Sequence, residues 1–308
     1  MMESATNLDR LEIPSVALLD EERPLVDQFR AIAHRMHIEI GWHYLLDFSW
    51  SARQVSLTPG MRVIDAGAGW GVMQLWLAEQ NIDVISVDRS SRSDLPNLLR
   101  QRYRVHGLRD EDLAPPARPG LRDLLPPLSP GRWHRYPSKL AVSIRALRPG
   151  RTGAVPGGGM IQIYNQDLAS LPDIPDGSID AIFSISALEH NSPEGLRGVV
   201  TELMRVLKPG GLLTATLGAS RDEDWFHEPS QGWCYSEKTL RDIFDLAPDS
   251  PSNYDRYDEL FEDLRGCDEL RRALSPVYSR SADNGMPWGV WDPTYQPIGV
   301  VKQKKDSS

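Results

Sequence analysis

The chain is poor in cysteine, has no long apolar run and no basic leader, and each absence removes a class of protein. Only Cys234 and Cys267 occur among its 308 residues, so one chain can build neither a disulfide framework nor a thiolate zinc centre. No uninterrupted apolar stretch is long enough to span a bilayer. The opening MMESATNLDRLEIPS lacks the basic segment and apolar run of a secretory signal. Positive charge is scarce too. Lys and Arg number 34 against 43 Asp and Glu, a net charge of -9, which argues against a nucleic-acid-binding surface. The expected location is the cytoplasm.

What is present is an alternation of apolar patterns. Residues 1–20 read as a loose lead-in. Phe29, Ile32, Ala33, Met36 and Ile40 recur at helical steps, and Gly41 interrupts them before Trp42, Tyr44, Leu45, Leu46 and Phe48 begin a second apolar stretch. A buried strand is expected over 61–66, a helix over 72–79 and a second strand ending at Asp88, which together make a βαβ unit. The pattern resumes with strands at 160–164 and 179–185, a helix over 194–207 stopped by Lys208-Pro209-Gly210-Gly211, and a strand over 212–217. Residues 220–308 read as irregular until a last strand at 298–302. The expected organisation is an N-terminal helical segment 1–55, a core 56–220, and a part 221–308 of the same domain that carries substrate-side elements and the last strand.

Residues 92–158 break the rhythm and read as an insertion in a connection of the sheet. They hold thirteen basic residues against five acidic ones, so positive charge is segregated in an acidic chain. One consequence is a basic lid that steers an anionic acceptor. The other is pairing with the acidic C-terminal region at Asp242, Asp245, Asp255, Asp258, Glu259, Glu262 and Asp263.

The chemistry-bearing segment is Val63-Ile64-Asp65-Ala66-Gly67-Ala68-Gly69-Trp70-Gly71. Glycines at a strand's carboxyl end let backbone approach a ligand, and the helix start that follows offers N–H groups to an anion. The spacing is G-x-G-x-G, whereas a dinucleotide fingerprint has G-x-G-x-x-G. Asp65 would repel a pyrophosphate but suits a ligand with both an ammonium and a carboxylate. Asp88, at the end of the second strand, is placed to accept hydrogen bonds from both ribose hydroxyls.

These residues resemble the class I S-adenosyl-L-methionine-dependent methyltransferases, the small-molecule type that includes the ubiquinone and menaquinone biosynthesis enzymes. DAGAGWG at 65–71 is similar to the first motif and Asp88 to the ribose-binding acid. Gln166-Asp167-Leu168 with Leu171-Pro172 resembles the third-strand motif. Gly177 to Ile182 with Ala187-Leu188-Glu189-His190 resembles the fourth, and Leu203 to Gly211 the approach to the fifth strand. The resemblance covers about 58–91 and 160–218. It implies a Rossmann-like α/β fold: a doubly wound, mostly parallel seven-stranded sheet with helices on both faces, plus N-terminal helices and the insertion. The implied cofactor is S-adenosyl-L-methionine, held by Asp65, Gly67, Gly69, Gly71, Asp88, Arg89, Gln166, Asp167, Leu168 and Ser186. The implied reaction is in-line methyl transfer to an oxygen or nitrogen of a small or sugar-like molecule, which the enzyme serves mainly by alignment.

His190, after the fourth strand, is the first candidate for a base, with His227 and Glu228 behind it. His34, His37 and His43 lie on the N-terminal helices and read as a solvated face. No metal is expected, because Glu189, His190 and Asn191 lack a second carboxylate at suitable spacing. Trp225, Phe226, Trp233, Tyr235, Trp288, Trp291 and Tyr295 alternate with polar residues and suit pocket walls that stack on a sugar or flat ring. Base N-methylation is disfavoured, since Ser186-Ala187-Leu188-Glu189 stands where those enzymes carry an Asn/Asp-Pro-Pro-aromatic motif. Cytosine-C5 methylation lacks its cysteine, and a nicotinamide dehydrogenase is disfavoured by the glycine spacing. A macromolecular or carrier-bound substrate, a non-catalytic cofactor-binding protein and a homo-oligomer remain as alternatives.

Overall fold

Short runs rich in Val, Ile and Ala become the central strands, and the amphipathic runs between them become the helices that cover the sheet. The computed structural model describes residues 8–95, 97–115, 155, 157–274 and 290–305. In chain order the elements are β1 (Arg10–Glu12), α1 (Leu18–Glu21), α2 (Arg23–Met36), α3 (Tyr44–Gln54), β2 (Arg62–Ala66), α4 (Met73–Glu79), β3 (Asp83–Asp88), α5 (Asn97–Arg102), β4 (Arg104–Gly107) and β5 (Met160–Asn165). They continue with β6 (Ile179–Ile185), α6 (Pro193–Val206), β7 (Leu207–Ala219), β8 (Trp225–His227), β9 (Gly232–Tyr235), α7 (Glu237–Ile243), α8 (Tyr257–Arg265), α9 (Asp268–Ala273) and β10 (Gln296–Gln303).

The strands form one sheet in the order β1-β10-β7-β6-β2-β3-β5-β4, with β9 pairing β7 and β8 pairing β9. Neighbours from β7 to β4 run parallel, and β10 is antiparallel to β7. This is the doubly wound, mostly parallel Rossmann-like fold. Among the described residues ten strands are present where seven are expected; β1 and β4 form the two ends of the strand order, and the β8–β9 hairpin pairs with β7. Alternation along the strands sends Val63, Val84 and Phe183 to one face, under α2, α3 and α4. Ile64, Ile85 and Ile182 go to the other, against α6 and α7.

Three regions differ from the sequence reading. Residues 10–12 are not a loose lead-in but an edge strand on β10, with Leu11 buried. Residues 220–274 are not irregular but carry β8, β9 and three helices. The insertion opens with α5 and β4, and β4 lies parallel to β5. Residues 116–154, including Arg132, Arg135 and Lys139, and Trp288 lie outside the described residues. Among the described residues no helix is long and apolar enough to cross a membrane.

The N-terminal helices lock onto the sheet through a glycine. Trp50 of α3 lies flat on Gly299 of β10, where an added Cβ would stand 2.4 Å from the indole ring, and its Nε1 donates to Glu12 at 2.9 Å. Gly299→Ala is expected to cost about 2 kcal/mol through overpacking, read as a lower thermal midpoint. An unchanged midpoint would mean that the ring yields freely.

Candidate active site

The chain runs outward from β2 through β3 to β5, then returns to lay β6 on the other side of β2. The carboxyl ends of β2 and β6 therefore part at a topological switch point, where open α/β sheets bind ligands. A cleft of about 630 Å³ opens there.

Its floor is the glycine turn after β2. Gly67 and Gly69 have φ of +73° and +46°, a region that suits glycine. A Cβ on Gly67 would also lie 2.3 Å from the Ala187 Cβ. Backbone N–H groups of Gly67 and Ala68 both donate to Val87 O at 2.9 Å. Asp88 pins the turn further: its Oδ2 accepts from Gly69 N at 2.8 Å and its Oδ1 from Ser90 N at 2.7 Å.

Asp65 lines the same cleft, yet its side chain is buried and its Oδ2 has no hydrogen-bond partner. Burial pushes its carboxyl up to about 7; the Arg92 guanidinium opposes the rise and the neighbouring Asp88 adds to it. An unpaired buried carboxylate oxygen is costly unless a ligand supplies the donor. The arrangement suits a cationic group.

The structure brings Asp65, Gly67, Gly69, Gly71, Asp88, Arg89, Asp167, Leu168, Ser186 and His190 to one cleft. Ser186 has φ +48°, and its N–H donates to Thr216 O at 3.1 Å; such strained backbone gathers at functional sites. His190 Nδ1 lies 3.0 Å from Gln231 O. A carbonyl only accepts, so Nδ1 carries the proton and Nε2 is left as the basic nitrogen.

Three expected site residues do not line the cleft. The Gln166 amide turns away and donates to Ser170 O at 2.9 Å, because the chain bends into a turn after β5. His227 is buried, with Nδ1 2.7 Å from Ser230 Oγ and its ring against Tyr295; burial lowers its basicity. Glu228 is exposed in the turn after β8 and accepts from Gln231 Nε2. The β8–β9 hairpin carries both outside the lining. His43 is corrected as well. It is buried rather than solvated, with Nδ1 2.7 Å from the fully buried Asp47 and Nε2 3.4 Å from the Tyr295 hydroxyl.

Residues that the sequence reading missed complete the walls. His37 ends α2 in a left-handed conformation, and Ile38, Glu39 and Ile40 then line the cleft with Tyr44 and Phe48 of α3. Asn191 and Gln231 line it as well. No local signal marks Gln231, since the β8–β9 pairing delivers it. Glu189 is buried and is not in the cleft lining: Ser186 Oγ donates to its Oε1, its Oε2 is unpartnered, and burial pushes its carboxyl up. Among the described residues no group of three or more His, Cys, Asp or Glu could hold a metal ion.

Residues 142–215 match the family model described as a methyltransferase domain, a segment that includes β5, β6, α6 and most of β7 but not the glycine turn. The comparison with curated proteins found no match. Among solved structures, the [4+2]-cyclase SpnF is 17% identical, with 94% of this chain and 95% of that one covered at a TM-score of 0.48. Phosphoethanolamine N-methyltransferase 2 of Haemonchus contortus is 14% identical, with 94% and 60% covered at 0.46. Geranyl diphosphate C-methyltransferase of Streptomyces coelicolor A3(2) is 12% identical, with 90% and 77% covered at 0.42. At these scores the likeness is distant. The family match covers under half of the chain, on a sheet of Rossmann-like order, and a methyltransferase domain implies S-adenosyl-L-methionine as its cofactor.

Proposed function

We propose that the protein transfers a methyl group from S-adenosyl-L-methionine to an oxygen or nitrogen of a small or sugar-like acceptor in the cleft between β2 and β6. The carrying observation is Asp65, whose buried Oδ2 lacks a donor beside the glycine turn. The ammonium of a methionine moiety would supply that donor. Asp88 would take the ribose hydroxyls on the lone pairs that Gly69 and Ser90 leave open. Asp167 and Leu168 would flank the adenine, with Arg89 and Ser186 beside it, and Gly67, Gly69 and Gly71 would allow close backbone approach. When bound, the sulfonium supplies an electrophilic methyl group.

This chain's own residues align the acceptor and move its proton. His190 Nε2 would take the proton of the attacking hydroxyl or amine and pass it to water, since the ring is exposed. Tyr44 and Phe48 offer apolar faces, and Asn191 and Gln231 offer amides, a mixture that suits a hydroxylated ring. The order of the motifs supports the ubiquinone- and menaquinone-type subclass.

Arg89 in the lining supports an anionic acceptor. The described arginines of the insertion support it less. Arg100 donates to Leu95 O and Ser93 O, Arg104 to Gly158 O, Arg102 to Glu79 and Arg109 to Asp112. They do not reach the C-terminal acids either: Asp242 pairs Arg197, Asp258 pairs Arg221 and Glu259 pairs Arg256.

Calorimetry with S-adenosylhomocysteine tests the reading, and a wild-type protein that fails to bind it would overturn the proposal. The Asp65 carboxyl adds a signature. Its proton must leave for the ammonium to pair, so affinity should rise with pH through about 7, with about a tenfold gain from pH 6 to pH 8. The free protein loses stability as pH rises from the ordinary carboxylate range toward 7, because its folded form holds that proton more tightly. The ligand-induced rise in thermal midpoint should accordingly be larger at pH 8. An affinity flat across this range would show that Asp65 does not face the ammonium.

A further inference from the structure

Arg92 is a buried cation that the proposed chemistry does not use. It follows β3, is 1% exposed, and lies behind the glycine turn rather than in the cleft lining. Its Nη2 donates to Ser86 O at 2.6 Å and to Tyr164 O at 3.2 Å, which ties β3 to β5. Its Nη1 donates to Ser86 Oγ and to Gly69 O, the latter at 3.4 Å. Ser86 Oγ in turn donates to Gln74 Oε1 at 2.7 Å. Gln74 Nε2 donates to Gly71 O at 3.2 Å and Gly69 O at 3.4 Å. None of the guanidinium's bonded partners is a carboxylate. A buried guanidinium held by carbonyls and one hydroxyl is expensive, and burial lowers its affinity for its proton while Asp88, Asp65 and Asp112 oppose this.

We propose that Arg92 is the positioning residue of the cofactor crevice: it fastens the glycine turn to β3 and β5 from beneath and supplies the buried positive charge behind the Asp65 and Asp88 carboxylates. The inference rests on the cofactor reading above. Two carboxylates converge on one ligand there, and their mutual repulsion needs a compensating charge that leaves their ligand-facing oxygens open. A surface arginine would pair with those oxygens directly and block them. From below, Arg92 acts through space and through Gly69. The charged groups acting on Asp65 are Arg92 after β3 and Asp88 at its end; α4 contributes the neutral Gln74.

The test measures S-adenosylhomocysteine affinity by calorimetry from pH 6 to pH 8.5 for wild type, Arg92→Lys and Arg92→Met. Arg92→Lys keeps the charge and loses the fork, so affinity should fall about tenfold at every pH, the scale of one or two hydrogen bonds, with the pH midpoint unmoved. Arg92→Met loses both, and its midpoint should rise by about one pH unit or more as Asp65 loses its counter-charge. Arg92→Gln, neutral but still a donor, replaces Arg92→Met if that variant does not fold and should show the same rise. Two outcomes would overturn the inference: wild-type affinity in Arg92→Lys, or a neutral variant that weakens binding with its midpoint unmoved, the mark of a merely structural role. A wild-type protein that binds no S-adenosylhomocysteine would instead overturn the cofactor reading, and this inference with it.

Discussion

Asp88→Ala is expected to weaken S-adenosylhomocysteine binding by about 3 kcal/mol, the scale of a lost pair of charge-assisted hydrogen bonds. Two losses combine. The ribose hydroxyls lose their acceptor, and Gly69 N–H loses the 2.8 Å bond that holds the turn. Asp88→Asn should fall between wild type and alanine, because its amide oxygen still accepts while its nitrogen faces a backbone N–H, of Gly69 or Ser90, that only donates. Calorimetry at pH 8, where Asp65 is largely ionised, separates this effect from the proton linkage. Unchanged affinity in Asp88→Ala would mean that the ribose lies elsewhere.

His190→Gln should lower turnover of the native acceptor by about a hundredfold, the usual contribution of a positioned base. Cofactor affinity should scarcely change. Glutamine keeps a donor for Gln231 O, which His190 Nδ1 meets at 3.0 Å, but offers no basic nitrogen toward the cleft. The two readouts must therefore separate. A variant that turns over normally leaves proton removal to water or to the acceptor itself. His227 is a poor substitute, since it is buried against Tyr295 and tied to Ser230.

Much of the site was legible because its signals are local. A strand ending in G-x-G-x-G writes its own conformation: positive φ at Gly67 and Gly69 follows from residue type, and Asp65 and Asp88 sit at strand ends that the apolar runs delimit. His190 was legible for the same reason, as part of the turn that follows β6. His43 was not. A histidine beside Arg35 and Glu39 looks solvated until α3 packs on the sheet and encloses it with Asp47. Nor were His227 and Glu228, whose distance from the cleft depends on the β8–β9 hairpin.

By itself the sequence determined the periodicities, the glycine turn and the two acids, hence a parallel α/β core and several of the side chains that its cleft presents. These depend on contacts among residues close in the chain, where propensity and pattern act directly. Only the tertiary structure decided the rest. Arg10 joins the sheet by pairing with Val301, Gln231 reaches His190 across forty-one positions, and Arg92 spans Ser86, Gly69 and Tyr164. A strand as short as β1 has no stability of its own, and a buried arginine is tolerable only once carbonyls from other elements surround it. Such features exist because the fold brings distant groups together, and no local pattern could announce them.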